Sequence, residues 1–215
     1  MKEKRDLLNG GGLIGAFALW TVMIQCIDVQ AVGQKGTRIG FAAFNVWFHQ
    51  LTGVHMTIYT ITDWLGLVPI FICLCFGMLG FVQLIRRKSL LRVDPDIILL
   101  GIYYVLVIFG YLFFEMVPIN YRPILIEGHL EASYPSSTTL LVLSVMPTLA
   151  FQAKYRLIKG HRIIAGLTTA FSLLMVIGRV VSGVHWITDI VGGALFSAGL
   201  FFGYKGIVLL YGKQR

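Results

Sequence analysis

Long apolar runs separated by short polar segments dominate the chain. Six of them, at roughly 11–30, 64–85, 97–118, 137–153, 163–182 and 187–210, approach the length a helix needs to cross hydrocarbon, about 20 residues. Their apolar positions are continuous and do not alternate, which argues against barrel strands. The pattern predicts an all-α, polytopic membrane protein built as a six-helix transmembrane bundle. Between spans one and two the half-apolar stretch Phe41–Thr60 carries Trp47, Phe48, His49 and His55. That mixture suits a helix lying in the membrane interface, or a re-entrant segment. The turn Arg92-Val93-Asp94-Pro95-Asp96 reads as a capped start to span three. Without low-complexity segments or solenoid repeats, residues 1–215 read as a single membrane domain.

Composition sharpens the class. The chain is 57% hydrophobic and 13% charged, with a mean hydropathy of +0.79, where a soluble domain carries about 25% charged residues. A net charge of +8 raises the question of nucleic acid, but the placement of the basic residues answers it. They cluster beside the spans: Lys2, Lys4 and Arg5; Arg86, Arg87, Lys88 and Arg92; Lys154, Arg156, Lys159 and Arg162; Lys213 and Arg215. That is the positive-inside pattern, so both termini are expected in the cytoplasm and no nucleic-acid partner is expected. The connections 31–63, 119–136 and 183–186 then face outward. Met1 to Gly10 is basic, and the run behind it lacks a clear small-residue cleavage site, so it reads as a retained first helix. Cys26, Cys73 and Cys75 sit inside apolar runs, with neither a disulfide framework nor zinc spacing. Gly192, Gly193, Gly199 and Gly203 would let helices approach closely. Small size and the lack of appended domains point to a bacterial plasma membrane.

Polar residues at the outer ends of the spans carry the candidate chemistry, because charge near hydrocarbon is costly and marks function. Arg122 follows span three, Ser136, Ser137, Thr138 and Thr139 open span four, Arg179 ends span five, and His185 and Asp189 open span six. Taken singly, each is an interface anchor or a cap. As a set from four distant segments they read as a site. His185 and Asp189 are four apart and share a helical face. A carboxylate there can hold one imidazole nitrogen and leave the other free as nucleophile or base. Arg122 and Arg179 offer forked donors to a phosphoryl group. Pro135 followed by hydroxyls suits a helix N-terminus, which also attracts phosphate.

At these residues the chain resembles the type 2 phosphatidic acid phosphatase superfamily of membrane lipid phosphatases. That family carries K-x6-R-P, P-S-G-H and S-R-x5-H-x3-D motifs, which appear here as Arg122-Pro123, Pro135-Ser136-Ser137-Thr138, and Gly178-Arg179 with His185 and Asp189 at the family's spacing. The resemblance covers spans three to six, a phosphatase-like core of about 97–210. It implies hydrolysis of a lipid phosphate or diphosphate through a phosphohistidine. His185 would be the nucleophile and Asp189 its orienting carboxylate. Arg122, Arg179, Ser136 and Ser137 would hold the phosphoryl oxygens, with no cofactor or metal required. The partner implied is a phosphorylated membrane lipid, met at the outer face.

Two positions depart from the family. Glu115 stands where the first motif has lysine, and Thr138 stands where the second has the histidine that protonates the leaving group. General acid catalysis is typically worth about 10²–10⁴-fold. A diphosphate substrate, such as a polyprenyl diphosphate, would soften that loss, since the phosphate it releases has a pKa of about 6. Alternatively Glu115, Glu127, His129 or Glu131 replaces the acid, or the site binds a lipid phosphate without turnover. A small transporter is a weaker reading, because no inverted repeat or pair of broken helices is visible.

Overall fold

Residues 2–213 are described in the computed structural model; Arg215, at the expected basic C-terminus, lies outside them. Among the described residues there are eight α-helices: α1 (Lys2–Cys26), α2 (Ala42–Thr52), α3 (Met56–Leu65), α4 (Leu67–Arg87), α5 (Pro95–Met116), α6 (Ser137–Tyr155), α7 (His161–Ser182) and α8 (Ile187–Lys213). Five stretches are long and apolar enough to cross a membrane: α1, α3 with α4 over Met56–Arg87, α5, α7, and α8 over Ile187–Tyr211. Their outer faces are apolar. Phe71, Leu74 and Met78 of α4, Val105 and Phe109 of α5, and Leu167 and Ile177 of α7 all point away from the protein. In water that surface would be untenable, and against lipid it is the expected solvent-facing side.

Helix α6, the fourth of the six expected spans, is not among those five. Its burial explains the difference. It packs against α7, α8, α4 and α5, and Ser144, Thr148 and Gln152 along it are buried. Neighbouring helices meet α6 with polar groups of their own: Tyr103 Oη donates to the Ser144 backbone carbonyl at 2.9 Å, Tyr104 Oη meets Thr148 Oγ1 at 2.7 Å, and Gln152 Nε2 donates to Tyr204 Oη at 2.6 Å, while the Ser144 hydroxyl has no partner. A helix surrounded by protein can carry polar groups that a lipid-facing one cannot.

The expected interfacial helix turns out to be two elements. α2 packs on α8 and α7, while α3 packs along α7 and runs almost directly into α4. The second span therefore starts earlier than the hydropathy pattern implied. A close contact fixes this arrangement. The His55 N–H donates to the Ser182 carbonyl at 3.0 Å. Gly183, at φ +66°, sits so near Gly53 that a Cβ would lie 1.9 Å from the Gly53 carbonyl oxygen. Only glycine fits that combination of left-handed backbone and contact.

Opposite ends of the bundle differ in charge chemistry. Where α4 and α6 end and α5 begins, Arg156 reaches Asp94 and Asp96 at 3.1 and 2.7 Å, and Arg87 reaches Asp94 at 2.7 Å. Asp94 holds the N-cap position of α5, but its side chain makes no capping bond. It joins this ionic network instead.

α1 lies along α8, the most extensive helix pair, through the glycines that the sequence marks. A Cβ on Gly10 would fall 2.7 Å from the Gly203 backbone nitrogen, and one on Gly199 would fall 2.8 Å from Ile14. Replacing Gly10 by leucine should therefore force α1 off α8 and destabilise the protein by about 1–3 kcal/mol. Thermal unfolding in detergent checks this. A Tm lowered by several degrees is expected, and an unchanged Tm would show that the seam carries no packing energy.

Candidate active site

The segment between α5 and α6 folds back on itself at the end of the bundle opposite the Arg156 network. Backbone pairing joins Tyr121 to Ala132 and Ile126 to His129, and this turn is pinned to the start of α8. Trp186 Nε1 donates to the Tyr121 carbonyl at 2.8 Å, and the Ser136 N–H to the Asp189 carbonyl at 3.1 Å. Support also comes from α1 and α2. Tyr134 stacks on Phe17, with its hydroxyl 2.7 Å from Thr21 Oγ1. Trp20 Nε1 donates to the Thr188 carbonyl at 3.0 Å, and Asn45 Nδ2 to Thr188 Oγ1 at 3.0 Å. His49 reaches the Gly183 carbonyl at 3.0 Å. The expected interfacial polar groups thus brace the turn that carries His185.

His185, Ser133 and Asp189 are all buried. Asp189 accepts three hydrogen bonds: from Asn120 Nδ2 at 2.9 Å, from Ser133 Oγ at 2.6 Å and from the Trp186 N–H at 3.1 Å. Ser133 Oγ in turn lies 2.9 Å from His185 Nδ1. The helical spacing implied a direct contact between Asp189 and His185, but the serine hydroxyl stands between them. His185 precedes α8, so its ring is not on the helical face that carries Asp189. Its other nitrogen, Nε2, is buried with no hydrogen-bond partner.

The two arginines stand around this imidazole. Arg179 is 1% exposed. Its Nη2 donates to Asp63 Oδ1 at 2.9 Å and also to Thr138 Oγ1, while Nε and Nη1 have no partner. Arg122 is ion-paired through Nε to Glu131 at 3.1 Å, and its Nη1 is buried and unpartnered. Both guanidinium groups lie over the Tyr59 ring, 5.7 Å from its centroid for Arg122 and 4.8 Å for Arg179. Burial, reinforced by the positive charges of Arg122 and Arg179, holds the His185 pKa well below its ordinary value. The imidazole is therefore neutral at physiological pH.

A polar cavity of about 300 Å³ opens beside these groups, and Tyr111, Glu115, Arg122, Glu131, Ser133, Ser137 and His185 are on its wall. The candidates for a replacement acid separate here. Glu115 and Glu131 line the cavity, whereas Glu127 and His129 are exposed at the tip of the turn and do not. Thr138 is not on the wall either, because its hydroxyl is engaged by Arg179. Ser136 is fully buried; its hydroxyl accepts from Thr139 at 3.1 Å and its N–H is committed to Asp189. Of the two serines expected to hold phosphoryl oxygens, only Ser137 reaches the cavity. Tyr59, Asp63, Asn120 and Ser133 escaped the sequence reading. Their one available signal was polarity within or beside an apolar segment.

The site thus combines buried guanidinium donors left open with a neutral imidazole whose Nε2 is bare. Residues 70–211 match the family model of the PAP2 superfamily, and the chain belongs to that superfamily. The fold is similar to the crystal structure of the transmembrane PAP2-type phosphatidylglycerolphosphate phosphatase from Bacillus subtilis. The TM-score is 0.67 over 96% of this chain and 99% of that one, at 17% sequence identity, so the likeness is one of fold. No curated protein matches the chain. Family and fold together support a membrane phosphatase.

The depressed His185 pKa has a consequence for stability. An unfolded chain takes up a proton on this imidazole below about pH 6.5, and the native state refuses it, so stability falls as pH drops through that range. The slope is up to about 1.4 kcal/mol per pH unit. Thermal unfolding between pH 7 and pH 5 should show wild type losing more stability than His185→Gln. Parallel curves would mean that His185 protonates normally in the folded state.

Proposed function

We propose that the protein is a membrane lipid phosphatase that works through a phosphohistidine on His185. The observation that carries this reading is the buried, unpartnered Nε2 of His185, on the wall of the same cavity as Arg122. The Nε2 lone pair attacks phosphorus, and the bond from phosphorus to the leaving oxygen breaks with its electron pair going to that oxygen. Water then attacks the phosphoryl group, the N–P bond breaks and Nε2 recovers its lone pair. Arg122, on the cavity wall, holds non-bridging oxygens with its unpartnered donor. Arg179, which is not on that wall, adds positive charge beside His185, and the amide end of α6 at Ser137 adds to it.

The leaving group chooses the substrate. Thr138, whose hydroxyl accepts from Arg179, is an alcohol too weakly acidic to stand in for the family's histidine as a proton donor near neutrality. Cleavage of a diphosphate releases a phosphate monoester, which departs with little protonation, and this favours a polyprenyl diphosphate over a phosphomonoester. Of the acidic residues on the cavity wall, Glu131 is already ion-paired to Arg122, which leaves Glu115 as the freer proton donor. The same ion pair favours a second reading, in which the site binds a lipid phosphate without turning it over, because Glu131 occupies part of Arg122 before any substrate arrives. The basic residues beside the spans support, by the positive-inside rule, a reading with both termini in the cytoplasm, a plasma membrane location and the cavity at the outer face.

Phosphate release from a panel of lipid mono- and diphosphates in proteoliposomes tests the reading, with wild type and His185→Ala side by side. Release should be fastest from diphosphates and should fall to background in the variant. Equal release by both proteins would rule out the histidine mechanism. No release from any lipid, with binding retained, would establish the binding-only reading.

A further inference from the structure

We infer that Ser133 is the positioning residue that fixes which nitrogen of His185 is free to attack, by standing as a hydroxyl link between His185 and Asp189. This rests on the reading of His185 as nucleophile, and the proton count of the three linked groups requires it. Ser133 Oγ lies 2.6 Å from Asp189 Oδ2 and 2.9 Å from His185 Nδ1. A serine hydroxyl carries one proton and accepts through its lone pairs. The carboxylate has no proton to give, so the serine proton goes to Asp189 in a short, charge-assisted bond. The contact with His185 then needs its proton from Nδ1. Were Nδ1 bare, one of the two contacts would set lone pair against lone pair in a buried, low-dielectric site, which is strongly unfavourable.

The consequence is chemical. With the proton on Nδ1, Nε2 carries the lone pair, and Nε2 is the atom that lacks any protein partner. A neutral imidazole without such partners favours the opposite tautomer, with the proton on Nε2, which cannot attack phosphorus. Asp189 alone does not set the choice, since its carboxylate accepts from Asn120, the Trp186 N–H and Ser133 and makes no hydrogen bond to the imidazole. The surroundings hold Ser133 at this point. Its N–H donates to the Asn120 carbonyl at 2.9 Å, and the next residue, Tyr134, is held by Thr21 and Phe17. The ring of Tyr134 fits against α8 only because residue 192 is glycine, where a Cβ would lie 2.4 Å from the ring. When Nε2 takes the phosphoryl group the ring becomes cationic, and its charge reaches Asp189 through the same hydroxyl. No proton needs to leave Nδ1 during the cycle.

Two measurements test this, and the first does not depend on activity. In protein labelled with ¹⁵N-histidine and reconstituted in lipid, the His185 signals, assigned by difference from His185→Gln, should show Nδ1 protonated and Nε2 bare at neutral pH. Ser133→Ala should move the proton wholly or partly to Nε2, and Ser133→Thr, which keeps the hydroxyl, should restore the wild-type pattern if it unfolds at a similar temperature. A wild-type ring protonated on Nε2, or a tautomer unchanged in a folded Ser133→Ala, overturns the inference. The second measurement uses the lipid substrate that the panel finds turned over fastest. Ser133→Ala should lower kcat by about 10²–10⁴-fold with KM little changed. The double variant with Asp189→Asn should then lose little beyond the larger single loss, because the two act as one chain. Multiplying losses, or a loss confined to KM, would make Ser133 a structural residue only. Failure of the phosphatase reading appears differently, as no turnover with the Nδ1–H tautomer still present.

Discussion

Arg179 heads the fully buried side chains by volume, and it is a cation. Taking a charge out of water costs several kcal/mol even after relaxation, unless partners replace the lost hydration. Asp63 and Thr138 replace part of it through a single nitrogen, and two further guanidinium nitrogens are left open. Arg122 repeats the pattern with Glu131 on one side and an unpartnered Nη1 on the other. The molecule therefore holds two incompletely answered positive charges beside an imidazole that burial, reinforced by those charges, keeps neutral. Such charges suit an anion of several oxygens, and on the proposed reading that anion is a phosphoryl group.

Much of the rest of the fold can be understood as what keeps this arrangement in place within lipid. α6 is polar because it is enclosed, and its enclosure lets Thr138 meet Arg179. α3 carries Asp63 and Tyr59 to Arg179 from a segment more than a hundred residues away in sequence. α1 packs by its glycines on α8 and supplies Thr21 and Trp20 to the turn that holds Ser133 and to the first residues of α8. Rigid helices set the outer frame, and short polar links from distant segments set the site. That is the division of labour a reaction centre requires when a misplacement of about 1 Å costs about a hundredfold in rate.

The spans were legible from the apolar runs because lipid imposes that pattern on each helix separately. So were Arg122, Arg179, His185 and Asp189, since a charge beside hydrocarbon stands out. What escaped the sequence depends on pairing. Asp63 drew no attention at the end of the connection 31–63, and only the continuation of α3 into α4 and its packing along α7 bring it to Arg179. Ser133 read as loop, and only its distances to His185 and Asp189 show that it separates them. The four-residue spacing of His185 and Asp189 implied contact, but His185 lies just before the helix begins. Glu127 and His129 were as good candidates as Glu131 in sequence, and the fold of one turn put them outside the cavity. In each case the residue types were visible and the register of distant segments was not.

The most direct test of a nucleophilic His185 is to trap the phosphoryl group on it. Protein in liposomes would be mixed with a polyprenyl diphosphate labelled with ³²P at its terminal phosphate, denatured at high pH within the first turnover, and mapped by peptide. The account predicts an acid-labile, alkali-stable label on the peptide containing His185, absent from His185→Ala. Turnover at the wild-type rate with no label on that peptide, or with label on another residue, would contradict it.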